Sequence, residues 1–165
     1  MSGTQIDDQL IADLARDVIA QTAPQEVPLF RANSEAYFKD PQKALQRQGG
    51  KDEMLGFGDG AMITFLTPIA LTVMTEVVKF LVEEVKKSAK TEGAGVVNEA
   101  VKSLFKKFHS KDDKAKKNEV PPLTPEQLMH VRKLALEKAH QLKLSNDKAT
   151  LLTDSIVGSL TVPSS

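Results

Sequence analysis

The chain has 165 residues, with 22 basic and 22 acidic side chains, a formal net charge of zero and no cysteine. Zero net charge argues against a dedicated nucleic-acid binder, which normally carries a basic excess. The missing thiols exclude a disulfide framework, a cysteine nucleophile and the common structural zinc sites. The length is that of one domain able to bury a core without staples, and one Tyr, no Trp and many Lys, Glu, Ala and Leu suit an all-α fold.

The first predicted element is an amphipathic helix over residues 4–21. Thr4 stands at its N-cap, and Asp7 and Asp8 suit its positive N-terminal end. Ile6, Leu10, Leu14 and Val18 recur every four residues beside Ile11 and Ile19, as one wall of a core or a docking helix would require. This acidic, amphipathic start is unlike a secretory signal, and with the absence of cysteine it suits a cytoplasmic protein. Ala23–Pro24 closes the helix. Pro28 opens a short helix through Phe38; Asp40–Pro41, an N-cap followed by a first-turn proline, opens another to about Gln48, ended by Gly49–Gly50. Phe30, Tyr37 and Phe38 read as core rather than as a ligand pocket. The alternating glycines of Met54–Gly60 lack the spacing and the Lys–Ser/Thr pair of phosphate cradles, so they read as a hinge.

The strongest pattern runs from Thr67 to Lys90. With Thr67 as N-cap and Pro68 as first helical residue, a helix over about 68–90 places Thr72, Thr75, Glu76, Lys79, Glu83, Lys86 and Lys87 in one arc of roughly 120°. Glu76–Lys79 and Glu83–Lys87 are paired at helical spacing along that arc. The rest of the surface is apolar except for Glu84, wider than an ordinary surface helix needs. Ile69, Val73, Met74, Val77, Val78, Leu81 and Val85 are therefore the candidate interaction face. Residues 60–75 are free of charge, but Glu76, Lys79, Glu83 and Glu84 would each cost about 2.5–3.5 kcal/mol near a bilayer centre, which argues against a spanning helix.

Glu92–Gly95 breaks the chain, and a further helix is expected over residues 96–109. Val97, Ala100, Val101, Leu104, Phe105 and Phe108 share one face, opposite Lys102, Lys106 and Lys107. Residues 101–117 hold seven Lys and two Asp, whereas residues 1–60 hold six basic and ten acidic side chains, so the two regions attract one another within or between subunits. Lys102, Lys106, Lys107, Lys111, Lys114, Lys116 and Lys117 are the candidate contacts to an anionic surface.

Residues 110–122 read as a charged, proline-ended linker, dividing the chain into a core domain (1–109) and a C-terminal hairpin (123–161). Thr124-Pro125-Glu126-Gln127 spells a capping box. Leu128, Val131, Ala135 and Leu142 form the expected buried stripe, with Leu134 beside it. Ser145 caps a second helix carrying Ala149, Leu152, Ile156 and Leu160. Such an αα-hairpin must dock on its own chain or on a partner. Of the three histidines, His140 forms a Glu-x-x-His motif with Glu137, but a di-metal bundle needs two such motifs and two further Glu. His109 and His130 belong to no motif, and no catalytic constellation emerges.

The sequence therefore predicts an all-α helical bundle around a central apolar helix (about 68–90), with a C-terminal αα-hairpin on a charged tether. The predicted function is a non-enzymatic, self-associating protein–protein interaction or regulatory module with no cofactor; nucleic acid is not expected. The alternative is a membrane-associated protein using the 61–85 apolar segment and the Lys-rich 101–117 segment.

Overall fold

The computed structural model describes residues 8–46, 66–89, 100–105 and 123–160. The Thr4 cap, the glycine run Met54–Gly60, the break at Glu92–Gly95, His109 and the 110–122 linker lie outside them. The described residues form an all-α helical bundle. In chain order it comprises α1 (Asp8–Thr22), a 3₁₀ turn (Pro24–Glu26), α2 (Val27–Lys39), α3 (Pro41–Gln46), α4 (Thr67–Ala89), a helical turn at residues 100–103, α5 (Pro125–Gln141) and α6 (Asn146–Gly158).

α4 is the axis of the bundle. It packs on α1, α2, α3 and α5, while α6 closes the ring between α5 and α1. This explains its wide apolar surface: a helix touched from several sides needs apolar side chains almost all round. One core joins α1, α2, α4, the 100–105 segment and both C-terminal helices. The hairpin thus docks on its own chain.

The sequence pattern placed the start of α4 one residue late and gave it the wrong cap. The helix begins at Thr67, and the Leu66 carbonyl accepts its first bond, from the Ala70 amide at 2.8 Å. Thr67 does not cap through its own side chain. The carboxylate of Glu26, itself buried, reaches across from the 3₁₀ turn: Oε2 accepts from the Leu66 amide at 2.7 Å, and Oε1 accepts from the Thr67 amide at 2.8 Å and the Thr67 hydroxyl at 2.7 Å. Helix N-termini present unsatisfied amides and a positive dipole end, and an acceptor-only carboxylate answers both.

The polar arc of α4 is also narrower than expected. Thr72 is covered by α2, its oxygen 3.0 Å from the Tyr37 hydroxyl and 2.9 Å from the Pro68 carbonyl. Glu76 and Lys79 pair at 3.8 Å as the spacing predicts, but Lys87 lies 3.3 Å from Glu84 rather than meeting Glu83.

Asp40 caps α3 as predicted, accepting from the Lys43 amide at 3.2 Å. The expected helix over 96–109 differs: among the described residues the α-helical run ends at 103, the Leu104 and Phe105 amides tighten the last turn onto the Val101 and Lys102 carbonyls, each at 3.0 Å, and Phe105 also forms an isolated antiparallel bridge with Leu160. Ala100, Val101, Leu104 and Phe105 are nonetheless buried as the pattern requires.

In the hairpin, the Thr124–Gln127 capping box and the Ser145 cap both form. The α5 stripe shifts, however. Val131, Ala135 and Ala139 are buried, while Leu128, Leu134 and Leu142 are half-buried. Ala135 and Ala139 of α5 and Ala149 of α6 are fully buried, α5 packing on both α4 and α6. Arg132 Nη1 pairs with Asp154 Oδ1 across the hairpin at 2.7 Å.

The turn between the two helices is a Schellman motif. The Leu144 amide donates to the Ala139 carbonyl at 3.0 Å and the Lys143 amide to the His140 carbonyl at 2.9 Å. Lys143 adopts φ 69°, the left-handed conformation usually left to glycine. Lys143→Gly is expected to stabilise the fold by about 1 kcal/mol, readable as a higher urea midpoint at unchanged slope.

Candidate functional site

The chain reverses at the 3₁₀ turn, and α1 and α2 leave it as the two walls of a groove of about 760 Å³. Asp8, Gln9, Ala12, Asp13 and Arg16 line it from α1; Val27, Pro28, Phe30, Arg31, Ser34, Glu35 and Phe38 line it from α2. The helical period makes this arrangement: each helix turns its strongest apolar face inward, Leu10, Leu14 and Val18 on α1 and Phe30 and Tyr37 on α2, and leaves the next residues round the barrel on the groove.

The floor is apolar. Phe30 is buried, and Ala12, Val27 and Phe38 are half-buried. Phe38 meets Tyr37 edge-on, with ring centroids 5.4 Å apart. The aromatic cluster is thus divided: Tyr37 serves the core through its contact with Thr72, Phe30 belongs to the core and underlies the groove's floor, and Phe38 lies half-buried on that floor.

The rim is charged and ordered by sign. Counted along each helix from the turn, Arg16 comes before Asp13 and Asp8 on α1, and Arg31 before Glu35 on α2. The turn end is basic and the far end acidic. Gln9 Nε2 donates to Asp13 Oδ1 at 2.9 Å, and Arg31 Nε to Glu35 Oε2 at 3.4 Å. The Arg31 and Glu35 side chains are 90% and 70% exposed, so their mutual attraction contributes little to stability.

The sequence-predicted face lies elsewhere. Ile69, Val73, Met74, Val77, Val78, Leu81 and Val85 are all buried by the chain's own helices and form the centre of the core. In this fold they offer no free surface. Of the seven lysines, Lys102 is half-exposed, and Lys106, Lys107, Lys111, Lys114, Lys116 and Lys117 lie outside the described residues. Among the described residues, no helix is long and apolar enough to cross a membrane and no group of three His, Asp or Glu side chains is placed to hold a metal ion. Glu137 and His140 are both exposed, and His140 Nε2 lies 2.8 Å from Asn146 Oδ1. The groove was missed because its floor is made of residues that periodicity assigns to the core; the unused signal was the run of opposite charges flanking them.

A second polar cluster joins α4 to α5. Gln127 completes its capping box by accepting from the Thr124 amide at 2.8 Å, and its Nε2 donates to Glu84 Oε1 at 2.7 Å. His130 stacks on Phe80 one turn away, with centroids 4.4 Å apart. Glu84 is thereby explained as the one charge outside the polar arc. The Gln127 hydrogen bond, then Lys87 and His130, hold its carboxyl below the usual range against the opposing effect of burial. A carboxyl lowered on folding stabilises above its unfolded pKa, and that contribution is lost as pH falls through the folded one. The stability gap between the wild type and Glu84→Ala is therefore expected to be widest at neutral pH and to shrink through the acidic carboxylate range, as thermal melts at several pH values would show.

The described residues thus define an all-α bundle with one polarised, apolar-floored groove on its α1–α2 side. Comparison with protein-family models, with curated proteins and with solved structures gives no match.

Proposed function

We propose that the protein is a non-enzymatic helical interaction module that self-associates, with the α1–α2 groove as its docking surface. The observation that carries this reading is the groove itself. It keeps apolar side chains (Ala12, Val27 and Phe38) partly open to solvent between charged walls, while the wide face of α4 is already spent on the core. An apolar floor supplies affinity when water is removed from it, and a charged rim supplies orientation. The Lys-rich segment and the 61–85 stretch gain no support as a membrane device from the described helices.

Light scattering on the full chain across a concentration series tests this. Association to a multiple of 18.0 kDa is the expected result. Ala12→Arg, which fills the floor without removing a core side chain, is expected to return the protein to 18.0 kDa. A wild type that stays at 18.0 kDa at every concentration overturns the reading.

A further inference from the structure

Resting on that reading, we infer that the groove is occupied by the same groove of a second copy, set across a twofold axis. The order of charges carries this. Each groove runs from basic at the turn (Arg16, Arg31) to acidic at the far end (Asp8, Glu35). A twofold axis set perpendicular to the groove places the same patch on both sides with the groove's direction reversed, α2 against α2 and α1 against α1. Reversal sets the basic end of one groove on the acidic end of the other, and the match occurs twice. A parallel placement would set like on like at both ends. A partner of uniform charge, such as a polyanion or a strongly basic peptide, would meet repulsion at one end. The formal net charge of zero adds no long-range repulsion between copies.

The side chains to change are Arg31 and Glu35, which the fold does not need: they are 90% and 70% exposed and pair only within their own helix turn. Arg31→Glu makes both groove-lining charges of α2 acidic, and Glu35→Lys makes both basic. Each variant alone then sets like charges against each other twice across the axis. Its self-association is expected to weaken about tenfold or more, since like charges are then held against each other across the interface. Mixed one to one, the variants bring an all-acidic wall against an all-basic one, and association is expected to return, as a heterodimer.

Sedimentation velocity on wild type, each variant and the mixture, with circular dichroism confirming the helical fold, reads all of this. A wild type that associates while both variants associate equally well overturns the groove-on-groove arrangement but leaves self-association standing. Weakened variants whose mixture fails to reassociate also overturn it. A wild type that remains monomeric removes the broader reading as well.

Discussion

Glu26→Ala is expected to lower the stability of the fold by about 3 kcal/mol, a loss of about 6–12 °C in Tm for a chain of this size. Three donors converge on this one carboxylate: the amides of Leu66 and Thr67 and the Thr67 hydroxyl, all within 2.8 Å. Glu26, Leu66 and Thr67 are buried, so removing the acceptor leaves two amides with little access to water. A lost N-cap usually costs about 1 kcal/mol, and each stranded buried donor about 1–3 kcal/mol, so the sum exceeds an ordinary cap deletion. Glu26→Gln separates geometry from acceptor number. Its amide keeps one oxygen for Thr67 but turns an NH₂ toward the Leu66 amide, so a smaller loss, about half that of the alanine variant, is expected. Urea titration of the three proteins decides it; an alanine variant as stable as wild type would mean that the cap is dispensable.

Leu81→Ala is expected to cost about 3–4 kcal/mol. Leu81 is fully buried on the helix that four others surround, and truncation there removes apolar contact and leaves a cavity that the neighbouring helices close only in part. Because the chain itself covers Leu81, the variant that remains folded should associate as wild type does. Loss of association with stability intact would be the signature of a partner-facing residue, and would contradict the burial of Leu81. For a protein whose whole stability is of the order of 5–15 kcal/mol, either substitution is a large fraction of what holds it together.

These two sites also mark where sequence reading succeeds and where it stops. Periodicity identified α4 and its apolar side chains correctly, because a 3.6-residue period is a local property. It could not say what covers them, and a wide apolar face looks the same whether four helices of one chain or a second subunit will hide it. Caps written within three residues, Asp40 to Lys43, Thr124 to Gln127 and Ser145 to Lys148, were all readable. The cap from Glu26 was not, since its amides lie 40 and 41 residues away. Ala139 does not stand out in the stripe because alanine is a weak hydrophobic signal, although it is fully buried. The groove fell between these cases: Asp8, Pro28, Phe30 and Phe38 stand out in the sequence, its other lining residues do not, and its existence depends on how far apart α1 and α2 stand, which no pattern along either helix encodes.

The placement of α4 has a further consequence during synthesis. α1, α2 and α3 precede it in the chain, but α5, which completes its cover, and α6 follow it. At the usual pace of about 5–20 residues per second, the side of α4 destined for α5 waits for several seconds after α4 itself has been made. Throughout that interval the growing chain carries a bare apolar helix face beside a partly assembled bundle. The nascent protein thus carries this adhesive face until α5 arrives, and a ribosome that stalls between α4 and α5 would leave a natural client for chaperones.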